Sequence, residues 1–300
     1  HKKIHCWLFM ASRRSASSLL FLGLVFAIAC RRRVASAASF NETVDITWGG
    51  HRARMLNNGS LLTLSEDRQS GSGFQSKNRF LFGKINMQIK LVPGNSAGTV
   101  TSFYMSSEGP SWDEIDFEFL GNLSGQPYTV HTNIYINGNG NREQQFHLSF
   151  DPTADFHNYT ILWNQNTVGW YVDGKAIRVF PNREADGVPY PNIQPMRMIS
   201  SIWNGEDWAT MGGRVKTNWT NAPFTATFCN YNPSACVITA DGASSCANVT
   251  RRSIPWYWVK ADANTRRHVL SAKRNNMIYD YCADTRRFPA GLPPECTAPS

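Results

Sequence analysis

The chain has 300 residues, 42% of them hydrophobic, and a formal charge of +8 at neutral pH. That length suits one large domain or two modest ones, and that composition excludes a disordered, collagenous or low-complexity chain. The charge itself excludes little: Lys2, Lys3, Arg13, Arg14, Arg31, Arg32 and Arg33 lie in residues 1–38 without a single acid, and setting these seven aside leaves 23 Lys and Arg against 22 Asp and Glu. A chain so balanced gives no reason to expect nucleic acid as a partner.

The first predicted element is a secretory signal over residues 1–38. Arg13 and Arg14 form a positive start, "SLLFLGLVFAIA" is an apolar stretch too short to span a bilayer comfortably, and "ASA" offers small residues for cleavage after Ala37 or Ala38. Met10 offers a start of translation, with residues 1–9 upstream of it. The run Arg31 to Arg33 is unusual for a signal, and a short membrane anchor is the competing reading. No other stretch is long and apolar enough to cross a membrane, so the mature protein is expected to be secreted and off the membrane.

From Phe40 to Phe228 the chain runs in short alternating or apolar stretches broken by Gly, Asn, Asp and Pro, among them "FGKINMQIKLV", "YTVHTNIYI", "QQFHLSF" and "MRMISSIW". Period-two spacing of β-branched and aromatic residues between turn signals predicts many strands, hence an all-β antiparallel sandwich or barrel. Asp173 and Gly174, in "VDGKAI", have the composition of a tight hairpin turn.

One segment in this region, "SWDEIDFEFLGN", stands out because Glu114, Asp116 and Glu118 occupy every second position. On a strand such residues share one face, while Ile115, Phe117 and Phe119 point into the core behind them. An ordinary solvated strand face is the bland alternative. Against it, no Lys or Arg interleaves the acids, and like charges on one face cost stability. Two carboxyls of unequal pKa are what glycosidic bond cleavage needs, and a third between them can hold a proton and raise its neighbour's pKa. A retaining mechanism wants carboxyls about 5 to 5.5 Å apart, whereas four residues of strand rise roughly 13 Å. The side chains of Glu114 and Glu118 must therefore lean together. Downstream, "SIWNGEDWATMGG" sets Trp203 and Trp208 in a polar, glycine-bounded stretch, a pairing that suits a platform for sugar rings.

The last quarter differs. It holds Cys229, Cys236, Cys246, Cys282 and Cys296, the pattern of a disulfide-stapled tail; five is odd, so one is free or pairs outside the chain. No C-x-x-C unit is present, and no metal or cofactor is expected. "DANTRRHVLSAKRNNMIYDYC" holds one short helix, and "RFPAGLPPEC" is a proline-rich stop. Six N-x-S/T sequons begin at Asn41, Asn58, Asn122, Asn158, Asn218 and Asn248, which agrees with export.

"DEIDFEFLGN", with "GFQSKNRFLFGKINMQIKLVPGNSAGTVTSFYMSS", "QPMRMISSIWNGEDWAT" and the closing "YDYCADTRRFPAGLPPEC", resembles the plant xyloglucan endotransglucosylase/hydrolases of glycoside hydrolase family 16 over essentially all of residues 40–300. The resemblance implies a curved β-sandwich of the jelly-roll, concanavalin-like kind at 39–228, and a C-terminal extension with a strand and a helix at 229–300. It implies Glu114 as nucleophile, Glu118 as acid/base and Asp116 as helper between them. Tyr104, Asn133, Arg142, Trp203 and Trp208 match positions lining the family's cleft, and Asn122 matches its glycosylated asparagine. Cys229 with Cys236, and Cys282 with Cys296, match its disulfides, which leaves Cys246 over. Trp112 and Ser149 depart from the family's commoner histidine and tryptophan, and His131 stands where many relatives have another polar residue.

The expected function is a secreted, monomeric enzyme of the plant cell wall and apoplast. It cuts xyloglucan and passes the glycosyl group to a xyloglucan polymer or oligosaccharide acceptor, or to water. Two alternatives stand: a hydrolase of another β-glucan, and a wall-binding module without turnover.

Overall fold

A computed structural model describes residues 38–297, so the leader expected over residues 1–38 lies outside the described residues except for Ala38. In chain order the elements are α1 (Phe40–Thr43), β1 (Val44–Trp48), β2 (Ala53–Leu56), β3 (Leu61–Glu66), β4 (Ser72–Ser76), β5 (Arg79–Lys90), β6 (Thr99–Ser106) and β7 (Glu114–Leu120). There follow β8 (Thr129–Tyr135), β9 (Gln144–His147), β10 (His157–Trp163), β11 (Thr167–Val172), β12 (Lys175–Pro181), β13 (Arg197–Asn204), β14 (Phe224–Ile238), α2 (Ala263–Asn275), β15 (Met277–Asp280) and α3 (Pro294–Thr297). The strands pair antiparallel in two sheets, one of eight in the order β1-β4-β13-β6-β7-β8-β9-β15 and one of seven in the order β12-β11-β10-β5-β14-β3-β2.

Local chemistry explains the connections. Asp173 and Gly174 take φ of 47° and 76°, the left-handed pair that a two-residue turn between β11 and β12 demands. The Asp262 side chain accepts from the Thr265 N–H at 2.7 Å and so caps α2, which packs over the edge strand β12 and buries Ala272 in the main core. Position 228 lies inside β14, which runs on to Ile238, and β15 pairs with β9 to extend the eight-stranded sheet.

The core lies between the sheets, and its centre is the underside of β7. Ile115, Phe117 and Phe119 are fully buried there. Phe117 stacks on Phe103 at 6.2 Å, and Phe119 meets the edge of Tyr159, from the opposite sheet, at 4.6 Å. Burying each such ring contributes about 2–3 kcal/mol. That apolar anchorage fixes the register of β7, and register decides which residues face out.

The disulfides correct one expectation. Cys236 bonds to Cys246, and Cys282 to Cys296, while Cys229 stays a buried thiol. Cys229 and Cys236 belong to the same strand, β14, where seven residues of extended chain rise roughly 23 Å. No disulfide spans such a distance, since its Cα atoms must come within about 7 Å. Cys246→Ser is therefore expected to lose about 3 kcal/mol. Cys229→Ala keeps both bridges, and denaturation with peptide mapping of the two variants separates these outcomes.

Glu66, at the end of β3, is 1% exposed, and its Oε2 has no hydrogen-bond partner among the described residues. Burial, with the charges of Asp67 and Glu206 nearby, pushes its pKa up to about 8. The unfolded chain releases this proton near the ordinary 4.5 while the native chain keeps it to about 8. In that window the native state binds more protons, so stability falls as pH rises, by up to roughly 1.4 kcal/mol per pH unit. Glu66→Gln removes that slope; unfolding midpoints measured at pH 5 and pH 8 that differ equally in both proteins would refute the assignment.

Candidate active site

Because directly opposed residues of antiparallel strands share a face, the pairing of β7 specifies what surrounds each acid. Glu114 lies between Ser106 and Tyr135, Asp116 between Tyr104 and Asn133, and Glu118 between Ser102 and His131. On β13, Ser201 stands opposite Ser102, and Trp203 follows two residues on. All of these side chains except Ser106 line an open cavity of about 480 Å³ on the outer face of the eight-stranded sheet, with Trp208 and Glu143 completing its wall.

The floor is held from below. Trp170, buried on β11 of the other sheet, donates its indole N–H to the Asp116 carbonyl at 2.8 Å. The guanidinium of buried Arg178 lies 4.5 Å from the Trp170 ring and donates to the Thr132 and Arg142 carbonyls. Three acids thus stand on a strand whose backbone is tied across the sandwich, which is how adjacent like charges are kept in place.

Their proton affinities differ. Burial raises all three. Asp116 goes well above the ordinary carboxylate range, first through burial and then through the flanking Glu114 and Glu118, so it keeps its proton and hydrogen-bonds Glu114. For Glu114, burial raises the pKa while Ser106 and Asp116 favour the charged form. Glu118 is pushed up to about 7 by burial, then by the charges of Glu114 and Glu143. The arrangement offers a carboxylate supported by hydrogen bonds and, four residues along the same face, a carboxylic acid that holds its proton in weakly acidic solution.

His131 sits beside Glu118, its Nε2 3.7 Å from Oε2, and its Nδ1 is 2.9 Å from the Gln145 amide nitrogen. Burial holds its pKa down to about 4, so the ring is neutral. With the Gln145 amide donating to Nδ1, the ring proton stays on Nε2 and faces Glu118. On its other side His131 meets the edge of Trp208 at 5.7 Å, and Trp208 lies 6.0 Å from Trp203. The indole pair therefore rises directly beside the Glu118 end of the acid row.

Tyr104, Asn133, Trp203 and Trp208 all reach the cavity. Arg142 does not line it: the residue is 8% exposed, and its guanidinium donates to Glu295 of α3 at 2.6 Å and to the Asn139 and Gly140 carbonyls, tying the C-terminal segment to the loop before β9. Sequence reading missed Ser102 and Ser201, whose hydroxyls are 2.7 Å apart, along with Tyr135 and Glu143. Tyr135 was within reach, being four residues after His131 on one strand face; the serines needed the strand order. Trp112 stacks at 5.8 Å on Tyr135, which lines the cavity. Asn122 follows β7 by two residues, with its Nδ2 donating to the Pro127 carbonyl at 3.0 Å. Among the described residues, no group of three His, Cys, Asp or Glu is arranged to hold a metal ion.

Comparison with known proteins agrees with this geometry. A family model described as "Glycosyl hydrolases family 16" matches residues 40–221, and one described as "Xyloglucan endo-transglycosylase (XET) C-terminus" matches residues 251–296. The chain is 58% identical over 261 residues to "Xyloglucan endotransglucosylase protein 8" of Diospyros kaki, a match covering 87% of this chain and 90% of that one. It is 57% identical over 264 residues to "Probable xyloglucan endotransglucosylase/hydrolase protein 23" of Arabidopsis thaliana, covering 87% and 92%. Among solved structures, the β-glucanase of Bacillus licheniformis superposes with a TM-score of 0.51 over 68% of this chain and 94% of that one, at 23% identity, a likeness of fold.

Proposed function

We propose, since this chain belongs to glycosyl hydrolase family 16 and carries the C-terminal segment of the xyloglucan endo-transglycosylases, that it is a retaining enzyme which cuts the β-1,4-glucan backbone of xyloglucan and rejoins it to another xyloglucan chain. The observation that carries the reading is the row Glu114, Asp116, Glu118 on one strand face, with its unequal proton affinities.

In the first step the Glu114 carboxylate attacks the anomeric carbon, the glycosidic C–O bond breaks, and Glu118 gives its proton to the departing chain's oxygen. Asp116, holding a proton toward Glu114, positions the nucleophile. In the second step Glu118, now ionised, takes the proton from an acceptor hydroxyl, whose oxygen displaces Glu114 with net retention. An acceptor sugar completes transfer and water completes hydrolysis. Trp203 and Trp208, beside Glu118, are suited to hold the chain that leaves or arrives there. We further read residues 39–228 as the catalytic sandwich and 229–300 as its extension, the mature protein as a secreted monomer of the cell wall, and Asn122 as a glycan-bearing position.

The test incubates the protein with xyloglucan and a fluorescent xyloglucan oligosaccharide and follows label entering polymer alongside new reducing ends. Label entering polymer with few new ends is the expected result. New ends without label would make the enzyme a hydrolase, and the absence of both label transfer and new ends would overturn the reading.

A further inference from the structure

The outer face of α2 has no part in the site described above, and its composition is unusual. Its sequence, ANTRRHVLSAKRN, holds Arg266, Arg267, Lys273 and Arg274 and no acid. At 100° per residue these four fall on about a third of the helix circumference, around Leu270. All five are exposed, Leu270 at 56%, while Ala272 on the opposite side is buried in the core. The basic pairs, seven residues apart, are spaced roughly 10 Å along the axis.

Helix stability does not account for this stripe. Lys273 and Arg274 suit the negative C-terminal end of the helix dipole, but Arg266 and Arg267 lie near the positive end, where cations are disfavoured. A merely solvated face interleaves acids at i+3 or i+4, and here none is present. Arg266 donates to the Ala261 carbonyl and Arg267 to Asn264 Oδ1; Lys273 reaches Asp280 only at 3.7 Å. None of the three arginines has a carboxylate within ion-pair distance among the described residues. The surrounding chain adds to the excess: residues 251–274 contain seven Lys and Arg, and Asp262 is their sole acid. The remainder of residues 39–300 holds 16 Lys and Arg against 21 Asp and Glu, so the basic excess of that region is confined to this segment.

We propose that the outer face of α2 docks an acidic polysaccharide, a linear polymer of sugar acids bearing regularly spaced carboxylates. Guanidinium groups match carboxylates in bidentate geometry, and three of the four cations are arginines. The helix rests on β12, in the sheet opposite the one that carries the acids, so a polymer held here leaves the cavity open. A nucleic acid fits less well, because the stripe has no aromatic side chain for base stacking and the remainder of residues 39–300 holds more acids than bases.

The test is affinity electrophoresis of the full protein in gels containing polygalacturonate, neutral xyloglucan or duplex DNA, at low and at moderate salt. Retardation by polygalacturonate that weakens with salt is expected, together with at least a tenfold loss of that affinity in the triple variant Arg266→Gln, Arg267→Gln, Arg274→Gln. Transfer activity on soluble xyloglucan and the thermal midpoint of the variant are expected to stay at the parent values. Absence of retardation at low salt, equal retardation of parent and variant, or equal or stronger retardation by DNA would each overturn the proposal.

Discussion

Glu114→Ala is expected to abolish transfer and hydrolysis together, by roughly 10⁴-fold or more, the scale on which loss of a nucleophile is felt. Neither neighbour can take over. Asp116 is 6% exposed and keeps its proton, and Glu118, pushed up to about 7, holds its own in weakly acidic solution. Binding of xyloglucan should stay within about twofold, since Trp203 and Trp208 are untouched and the change removes no uniform binding. A structural role for Glu114 would also lower activity, so the decisive reading is chemical. Azide occupying the vacated space can attack the anomeric carbon directly, with the glycosidic oxygen leaving on the Glu118 proton. That restores turnover and yields a glycosyl azide of inverted configuration. Failure of azide to restore any turnover in a variant that still binds xyloglucan would remove Glu114 from the nucleophile's place.

How much of this was legible in the sequence follows from the ranges over which its signals act. The acid face of β7 was legible because strand alternation is local: Ile115, Phe117 and Phe119 mark the buried side, and the acids must then face out. The Asp173–Gly174 turn was legible for the same reason, since two residues alone set its backbone. Neighbours across strands were not. Nothing within "SSIWN" tells that Ser201 will stand beside Ser102, because β13 pairs with β6 only through the order of the whole sheet. Arg142 lies in a stretch matching the family's cleft, yet its ion pair is with Glu295, 153 residues away, and no local pattern announces it. The pairing of Cys229 with Cys236, implied by the family resemblance alone, fails for a physical reason: both sit on the single extended strand β14, and Cys236 bonds to Cys246.

Glu118→Gln separates the two steps of the reaction, and its loss on xyloglucan should fall at about 10²–10⁴-fold, the worth of a general acid. In the parent enzyme the first step needs Glu118 protonated. A carboxyl whose pKa is raised to about 7 carries its proton below that value and releases it above, so the rate of donor cleavage should hold in weakly acidic solution and fall as pH rises through about 7. Glutamine cannot titrate, and the variant's profile should lose that limb. A donor with an activated aryl leaving group needs no proton to depart, so on it the first step should recover in the variant. The second step should not, because no base remains to take the acceptor's proton. Glycosyl-enzyme on Glu114 must then accumulate, visible as a burst of one equivalent of leaving group and as an added mass on the intact protein. An equal loss on both donors, with no adduct and with the alkaline limb intact, would mean that Glu118 carries no proton in the reaction.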